Sequence, residues 1–258
     1  MLSLAAATTL DAGALATIEV ARRAGFDGCG LRPTAAELDR RGAAELARAI
    51  ADSRLTLLDV EVIRLGADEP SVEPERLLDF GAGLGAQFVL VVSHHVDPGR
   101  TAQELDRLAE IAAGRRLRLA LEFMRFTAIP TLASALDVVE QTGRADVGVV
   151  VDALHLQRSG GVPADLRAIA PGRLAYVQLC DAVAASPPDA QALAEEARHH
   201  RLLPGAGALP LRELVGRLDR AVPLSVEVQS DDLAGTIAPG SRARLAFEHA
   251  RNLAGDRA

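Results

Sequence analysis

The feature that most constrains this chain is an alternation. Eight short apolar runs, at 2–6, 28–31, 55–63, 88–93, 117–123, 147–151, 174–179 and 224–228, are each followed by a stretch rich in Ala, Leu, Arg and Glu. Short runs of Val, Leu and Ile without interleaved polar residues read as strands covered on both faces, the pattern of a parallel sheet. Between them, Leu105, Leu108, Ala109 and Ala112 recur at helical spacing, as do Leu211, Leu214, Val215 and Leu218, and Leu132, Leu136 and Val139. Eight βα units in 258 residues match the count and size of a single-domain α/β fold, the (β/α)8 TIM barrel, over residues 1–258. No linker or composition shift divides the chain. One zone is irregular: residues 182–210 carry Ser186-Pro187-Pro188, a polar helix over 188–200 and then Pro204-Gly205-Ala206-Gly207. It predicts an enlarged loop after the seventh strand, where a barrel places substrate contacts.

Composition narrows the function. The formal net charge is −7, and 6 Phe and 1 Tyr are the only aromatic residues. Nucleic-acid binding needs basic stripes and stacking platforms, so no nucleic-acid partner is expected. Every basic residue is Arg, which excludes chemistry that requires a lysine, such as a Schiff base or a P-loop. Cys29 and Cys180 lie in apolar runs without paired spacing and read as buried thiols of a reducing compartment. The N-terminal Met-Leu-Ser-Leu-Ala-Ala-Ala lacks the charged leader of a signal peptide, and no apolar run reaches the ~20 residues of a membrane span. A cytoplasmic protein with no membrane partner is the expectation.

Polar residues at the strand ends carry the chemistry. Glu122, Asp152, Gln178 and Glu227 each stand near the C-terminal end of an apolar run, on strands five to eight. Side chains alternate along a strand, so if Leu119 and Leu121 face the helices then Glu122 faces the barrel axis, and the same parity turns the other three inward. Any one of them alone reads equally well as a loop cap or an Arg partner. Four on successive strands would aim three carboxylates and an amide at one point, where like charges out of water cost several kcal/mol without a cation. An all-oxygen donor set suits Mg2+ or Mn2+ better than Zn2+.

These residues, with Val-Asp-Ala-Leu-His at 151–155, Val-Gln-Leu-Cys-Asp-Ala at 177–182, Arg-Leu-Leu-Pro-Gly-Ala-Gly at 201–207 and Ser-Val-Glu-Val at 225–228, resemble the xylose-isomerase-like TIM barrels. That superfamily includes sugar isomerases and epimerases, inosose and 3-dehydroshikimate dehydratases and, more distantly, endonuclease IV. The resemblance implies Glu122, Asp152, Gln178 and Glu227 as metal ligands, His155 as a group that contacts substrate oxygen or moves a proton, and Arg201 as a holder of an anionic or hydroxyl group. Two departures stand out. Gln178 replaces the common His ligand, as in bacterial dehydroshikimate dehydratases, and Ala206 replaces the Glu of the usual Pro-Gly-Glu-Gly turn.

Further candidates for substrate binding are Glu61 on strand three, Arg32 at the end of strand two and His95 at the end of strand four. Adjacent His94 and His95 point to opposite faces, so at most one meets the pocket. Run 115–118, with Arg115, Arg116 and Arg118, reads as solvated charge below the barrel. The reading that follows is a divalent-metal-dependent isomerase or epimerase of a polyhydroxylated carbonyl substrate. The cation polarises the carbonyl, Glu122 or Glu227 removes the adjacent proton, and an enediolate follows. Expulsion of a β-hydroxyl with His155 as acid makes the same intermediate a dehydratase's, which is the alternative. A non-catalytic sugar-binding barrel and an endonuclease IV-like nuclease rank lower, the latter because 6 scattered His at net −7 supply neither a zinc cluster nor a basic face. The helix over 188–200 is open to use as a lid or as an interface in a homo-oligomer.

Overall fold

Each apolar run becomes one strand. In the computed structural model, which describes residues 1–67 and 72–255, the strands close into a parallel barrel in sequence order. They are β1 Leu2–Leu4, β2 Gly28–Leu31, β3 Thr56–Leu65, β4 Phe88–Ser93, β5 Arg118–Glu122, β6 Val147–Asp152, β7 Leu174–Leu179 and β8 Leu224–Val226. The ring closes where Leu2, Ser3 and Leu4 pair with Leu224, Ser225 and Val226. The helices are α1 Ala14–Ala24, α2 Arg40–Ser53, α3 Pro74–Leu84, α4 Pro98–Ala113, α5 Leu132–Gln141, α6 Ala153–Arg158, α7 Ala190–His199, α8 Leu211–Gly216, α9 Asp231–Thr236 and α10 Pro239–Ala254. The chain is thus a single (β/α)8 TIM barrel domain, and no helix among the described residues is long and apolar enough to cross a membrane.

Local chemistry sets the helix ends. Asp39 accepts hydrogen bonds from the amides of Arg41 and Gly42 to start α2, and Thr131 and Ser134 form a reciprocal cap on α5. α1 stops where Gly25 turns to φ 96°, which a glycine adopts without steric cost. Strand β3 extends to Leu65, past its expected end at 63, and carries Arg64 to the barrel mouth.

Two apolar layers hold the barrel. The outer one lies between strands and helices; the inner one, with Leu58, Val62, Phe88, Leu90, Val92, Met124, Val150 and Tyr176, fills the bore. The inner layer is lopsided. Strands β1, β2 and β8 contribute Ser3, Gly28, Gly30 and Ser225, and a side chain at Gly30 would run into Asp59 Oδ1. The single tyrosine, Tyr176, reaches from β7 to donate its hydroxyl to Asp59 Oδ2 at 3.1 Å. Arg118 departs from the expected solvated charge: it lies 5.3 Å over the Phe88 ring and donates to the Gly172 carbonyl at 2.6 Å.

The segment 182–210 is pinned rather than loose. Arg158 and Glu196 form a buried two-pronged ion pair at 2.8 and 2.7 Å that holds α7 to α6. The buried carboxylate of Asp181 accepts from the amides of Gly205 and Leu209, both at 2.9 Å, which shapes the Pro-Gly-Ala-Gly turn. Both cysteines are buried and free, and burial pushes the Cys29 thiol up to about 12, so it is an unreactive core group.

Candidate metal centre and active-site cavity

The strand register places the four strand-end residues. Glu122 is level with Val150, Asp152 with Gln178, and Gln178 with Ser225. Residues level across a parallel pair share a face, and so do alternate residues along a strand. Val150 belongs to the inner core, so Glu122, Asp152, Gln178 and Glu227, two residues beyond Ser225, project into the bore at its C-terminal end. All four are buried.

Candidate ligand atoms of Glu122, Asp152 and His155 lie within 4.8 Å of one another. Asp152 Oδ1 accepts the His155 amide at 2.9 Å and so also caps α6, which fixes His155 beside it. His155 Nε2 is 4.0 Å from Glu122 Oε1, and its ring meets Phe126 edge-on at 5.7 Å. Glu227 is not in that trio; its Oε2 lies 3.2 Å from Arg201 Nη2, while Arg201 Nη1 donates to Asp152 Oδ2 at 2.6 Å.

Two observations fit a cation. Gln178 Oε1 is buried at 1% exposure and has no hydrogen-bond partner, and leaving such an oxygen unpaired costs about 1–3 kcal/mol. Charge gives the second. Burial and the neighbouring Glu61 hold Asp59 well above the usual carboxylate range. The buried acidic groups Asp59, Glu61, Glu122, Asp152 and Glu227 thus share two guanidiniums, Arg32 and Arg201. A divalent cation among them would offset this excess of acidic groups.

Among the protein groups alone, burial and the carboxylates of Glu227 and Asp152 push Glu122 well above its ordinary range. Burial also raises Glu227, to about 7, although Arg201 opposes the shift. Burial acts the same way on Asp152, but Arg201 and His155 outweigh it and leave that carboxyl below its usual value. Burial lowers His155 to about 4, so its imidazole is neutral near pH 7. A neutral ring can still donate one hydrogen bond to a substrate oxygen.

Above these groups opens a cavity of about 130 Å3. Its wall is rich in guanidiniums: Arg32, Arg64, Arg198 and Arg201 line it together with His94, Glu122, His155 and Glu227. Arg32 pairs with Glu61 at 3.0 Å, on the floor of the site. Arg64 and Arg198 have no carboxylate within ion-pair distance among the described residues; Arg198 rests on the Phe126 ring at 5.8 Å. Burial and the guanidiniums of Arg32 and Arg198 lower the Arg64 pKa, while Glu61 and Glu122 oppose the shift. A wider groove of about 790 Å3 at the other end of the barrel has two of its three arginines, Arg118 and Arg217, engaged by Gly172 O and Glu213.

The correction among the substrate-binding candidates falls on His95. Its Nε2 lies 2.9 Å from Glu104 on α4, and the ring packs over Gly66, whereas His94 lines the cavity. Sequence reasoning missed Arg64 and Arg198. Arg64 carried a usable signal, a charged residue at a strand end like Arg32; Arg198, on a polar helix, carried none.

Residues 18–253 match the family described as xylose isomerase-like TIM barrel. The 3-dehydroshikimate dehydratase of Pseudomonas aeruginosa is 32% identical over 169 residues, 61% of this chain and 26% of that protein, so the chain spans about a quarter of the length of this curated relative. Among solved structures, the IolI protein with a bound zinc atom covers 98% of both chains at TM-score 0.83 and 18% identity. D-psicose 3-epimerase from Clostridium cellulolyticum H10, solved with D-tagatose, covers 98% of this chain and 99% of its own at TM-score 0.73 and 16% identity. These structures share the fold, and with the match over 18–253 the chain belongs to the xylose isomerase-like TIM barrel family.

Proposed function

We propose that this chain is a divalent-metal-dependent lyase that removes water from a polyhydroxylated ketone bearing a carboxylate, a reaction of the 3-dehydroshikimate dehydratase type. The observation that carries this reading is the cationic wall: among the described residues Arg64 and Arg198 line the cavity with no carboxylate within ion-pair distance, opposite a buried carboxylate centre. A neutral sugar gives such guanidiniums nothing to neutralise, whereas a carboxylate takes charge-assisted hydrogen bonds from them. Gln178 in the amide position and the 32% identity to the Pseudomonas aeruginosa dehydratase support the same choice.

Glu122, Asp152, Gln178 and Glu227 would hold Mg2+ or Mn2+, with Glu227 turning from Arg201 to do so. When bound, the ion supplies Lewis acidity toward the ketone oxygen. Its charge also favours the ionised forms of Glu122 and Glu227, which makes either competent to take the proton next to the carbonyl. The C–H electron pair forms the enolate, whose collapse breaks the bond to the β-hydroxyl. That group leaves as water with a proton returned by a carboxyl, and neutral His155 donates a hydrogen bond to one of the reacting oxygens. Arg64 and Arg198 hold the substrate carboxylate away from the acidic centre, and Arg32 stays paired with Glu61 at the floor.

Epimerisation is the second reading, favoured by one observation: Glu122 on β5 and Glu227 on β8 give the cavity two carboxyls with raised pKa from different sides. The test is a panel of 3-dehydroshikimate and carboxylate-free ketoses, each with Mn2+ or Mg2+ and with excess chelator. Metal-dependent formation of a dihydroxybenzoate is the expected result. Epimerised ketose with no turnover of the acid would decide for the second reading, and chelator-insensitive turnover would remove the metal from both.

A further inference from the structure

We propose that Arg201 is a positioning residue that stands in for the divalent ion whenever the centre is metal-free, and so keeps the barrel mouth folded and its ligands separated until the ion arrives. The inference rests on the metal-centre reading above and differs from the substrate-holding role that family resemblance implies. Its basis is how Arg201 spends its donors. The guanidinium is buried. Nε donates to the Ala197 carbonyl at 2.7 Å, and Nη1 donates to Asp152 Oδ2 at 2.6 Å and to Cys180 Sγ at 3.1 Å. Nη2 lies 3.2 Å from Glu227 Oε2. A guanidinium has five N–H donors, so in this arrangement four of them are spent on the protein.

What it holds is the argument. Asp152 and Glu227 come from β6 and β8, on either side of the strand that carries Gln178. A cation that bridges those two carboxylates occupies the electrostatic role of an ion bound among them. It also accounts for Glu227 lying outside the trio of Glu122, Asp152 and His155, since the Arg201 contact turns that carboxylate aside. Without Arg201 the metal-free protein would keep Asp152 and Glu227 buried without the guanidinium that bridges them, Arg32 being engaged by Glu61, and removing one partner of a buried pair is among the more damaging changes a fold meets. Metal would then replace what the side chain had supplied.

The test compares melting of the wild type, Arg201→Met and Arg201→Lys, each chelator-treated and then with saturating Mn2+. Metal-free Arg201→Met is expected to melt roughly 10 °C below the wild type. Mn2+ should recover most of that loss, so that its shift in the variant exceeds its shift in the wild type by at least about 5 °C. Arg201→Lys should fall between them, because a point charge cannot bridge two carboxylates as a planar fork does. Equal Mn2+ shifts in wild type and Arg201→Met would overturn the proposal while leaving the metal centre standing. So would a variant that stays unfolded in saturating Mn2+, because the ion would then not replace the guanidinium. If Mn2+ moves neither protein, the metal-centre reading itself falls.

Discussion

The two halves of the barrel mouth differ in charge. Strands β5 to β8 deliver Glu122, Asp152, Gln178 and Glu227, whereas β2, β3 and β4 end in Arg32, Arg64 and His94, with Arg198 arriving from α7. The acidic half gathers oxygen donors around one point. The cationic half spreads guanidiniums along a wall, of which only Arg32 has an acidic partner within ion-pair distance among the described residues. On the proposed reading one side would hold a cation and move a proton and the other would hold an anion, so a substrate that satisfies both would carry a ketone at one end and a carboxylate at the other.

The most direct way to break this division is in the acidic half. Glu122→Gln and Glu227→Gln keep the shape and remove the base, and each is expected to lower kcat by roughly 10²–10⁴-fold at saturating metal. Steady-state kinetics with metal content measured alongside would separate loss of the base from loss of the ion. A metal-loaded variant within tenfold of the wild type would take that residue out of proton transfer.

The cationic half should answer differently. Arg64→Met and Arg198→Met each remove a charge-assisted contact of about 1.5–3 kcal/mol, so KM for the acid should rise roughly 10–100-fold with a smaller change in kcat. A carboxylate-free ketone should show no such rise. If both substrates suffer alike, these arginines shape the cavity and do not read charge.

The same division explains what was legible in the sequence. Strand alternation follows from backbone geometry, so an acidic residue at the end of an apolar run has a definite face, and the inward turn of Glu122, Asp152, Gln178 and Glu227 could be read from parity alone. The cationic wall could not. Arg198 sits on α7, whose docking is decided by the buried Arg158–Glu196 pair between residues 38 positions apart. His95 failed for a related reason: parity allowed one of two adjacent histidines, and the choice was made by Glu104 one helix away. Arg201 was placed at the mouth by resemblance, but its grip on Asp152 and Glu227 needed the return of the chain through the turn organised by Asp181.

The smallest expected effect is on stability, and its sign follows from the same carboxyls. Glu227 is raised to about 7 in the fold, and Glu122 and Asp59 are also raised well above their unfolded values. A carboxyl whose folded pKa is raised stabilises the fold while it is protonated, and that contribution is lost as pH climbs toward the folded value. His155 and His94 work the other way: both are lowered by burial, so they weaken the fold as pH falls through about 6.5, and their opposing slope dies away by about pH 7.5 as the unfolded imidazoles lose their protons. Above that the raised carboxyls remain, joined near pH 8 by the buried Cys29 thiol, whose raised pKa acts in the same direction. The metal-free protein should therefore lose stability toward the upper end of pH 6.5–8, with each titrating carboxyl contributing at most about 1.4 kcal/mol per pH unit. Saturating Mn2+ should flatten the slope, because an ion among these oxygens favours their charged forms at every pH in the range. Urea melts at pH 6.5, 7.25 and 8 with and without Mn2+ measure it directly. A metal-free slope of zero would mean that Glu122 and Glu227 are already ionised by neutral pH, and that Arg201 and Arg32 alone suffice to balance the acidic half.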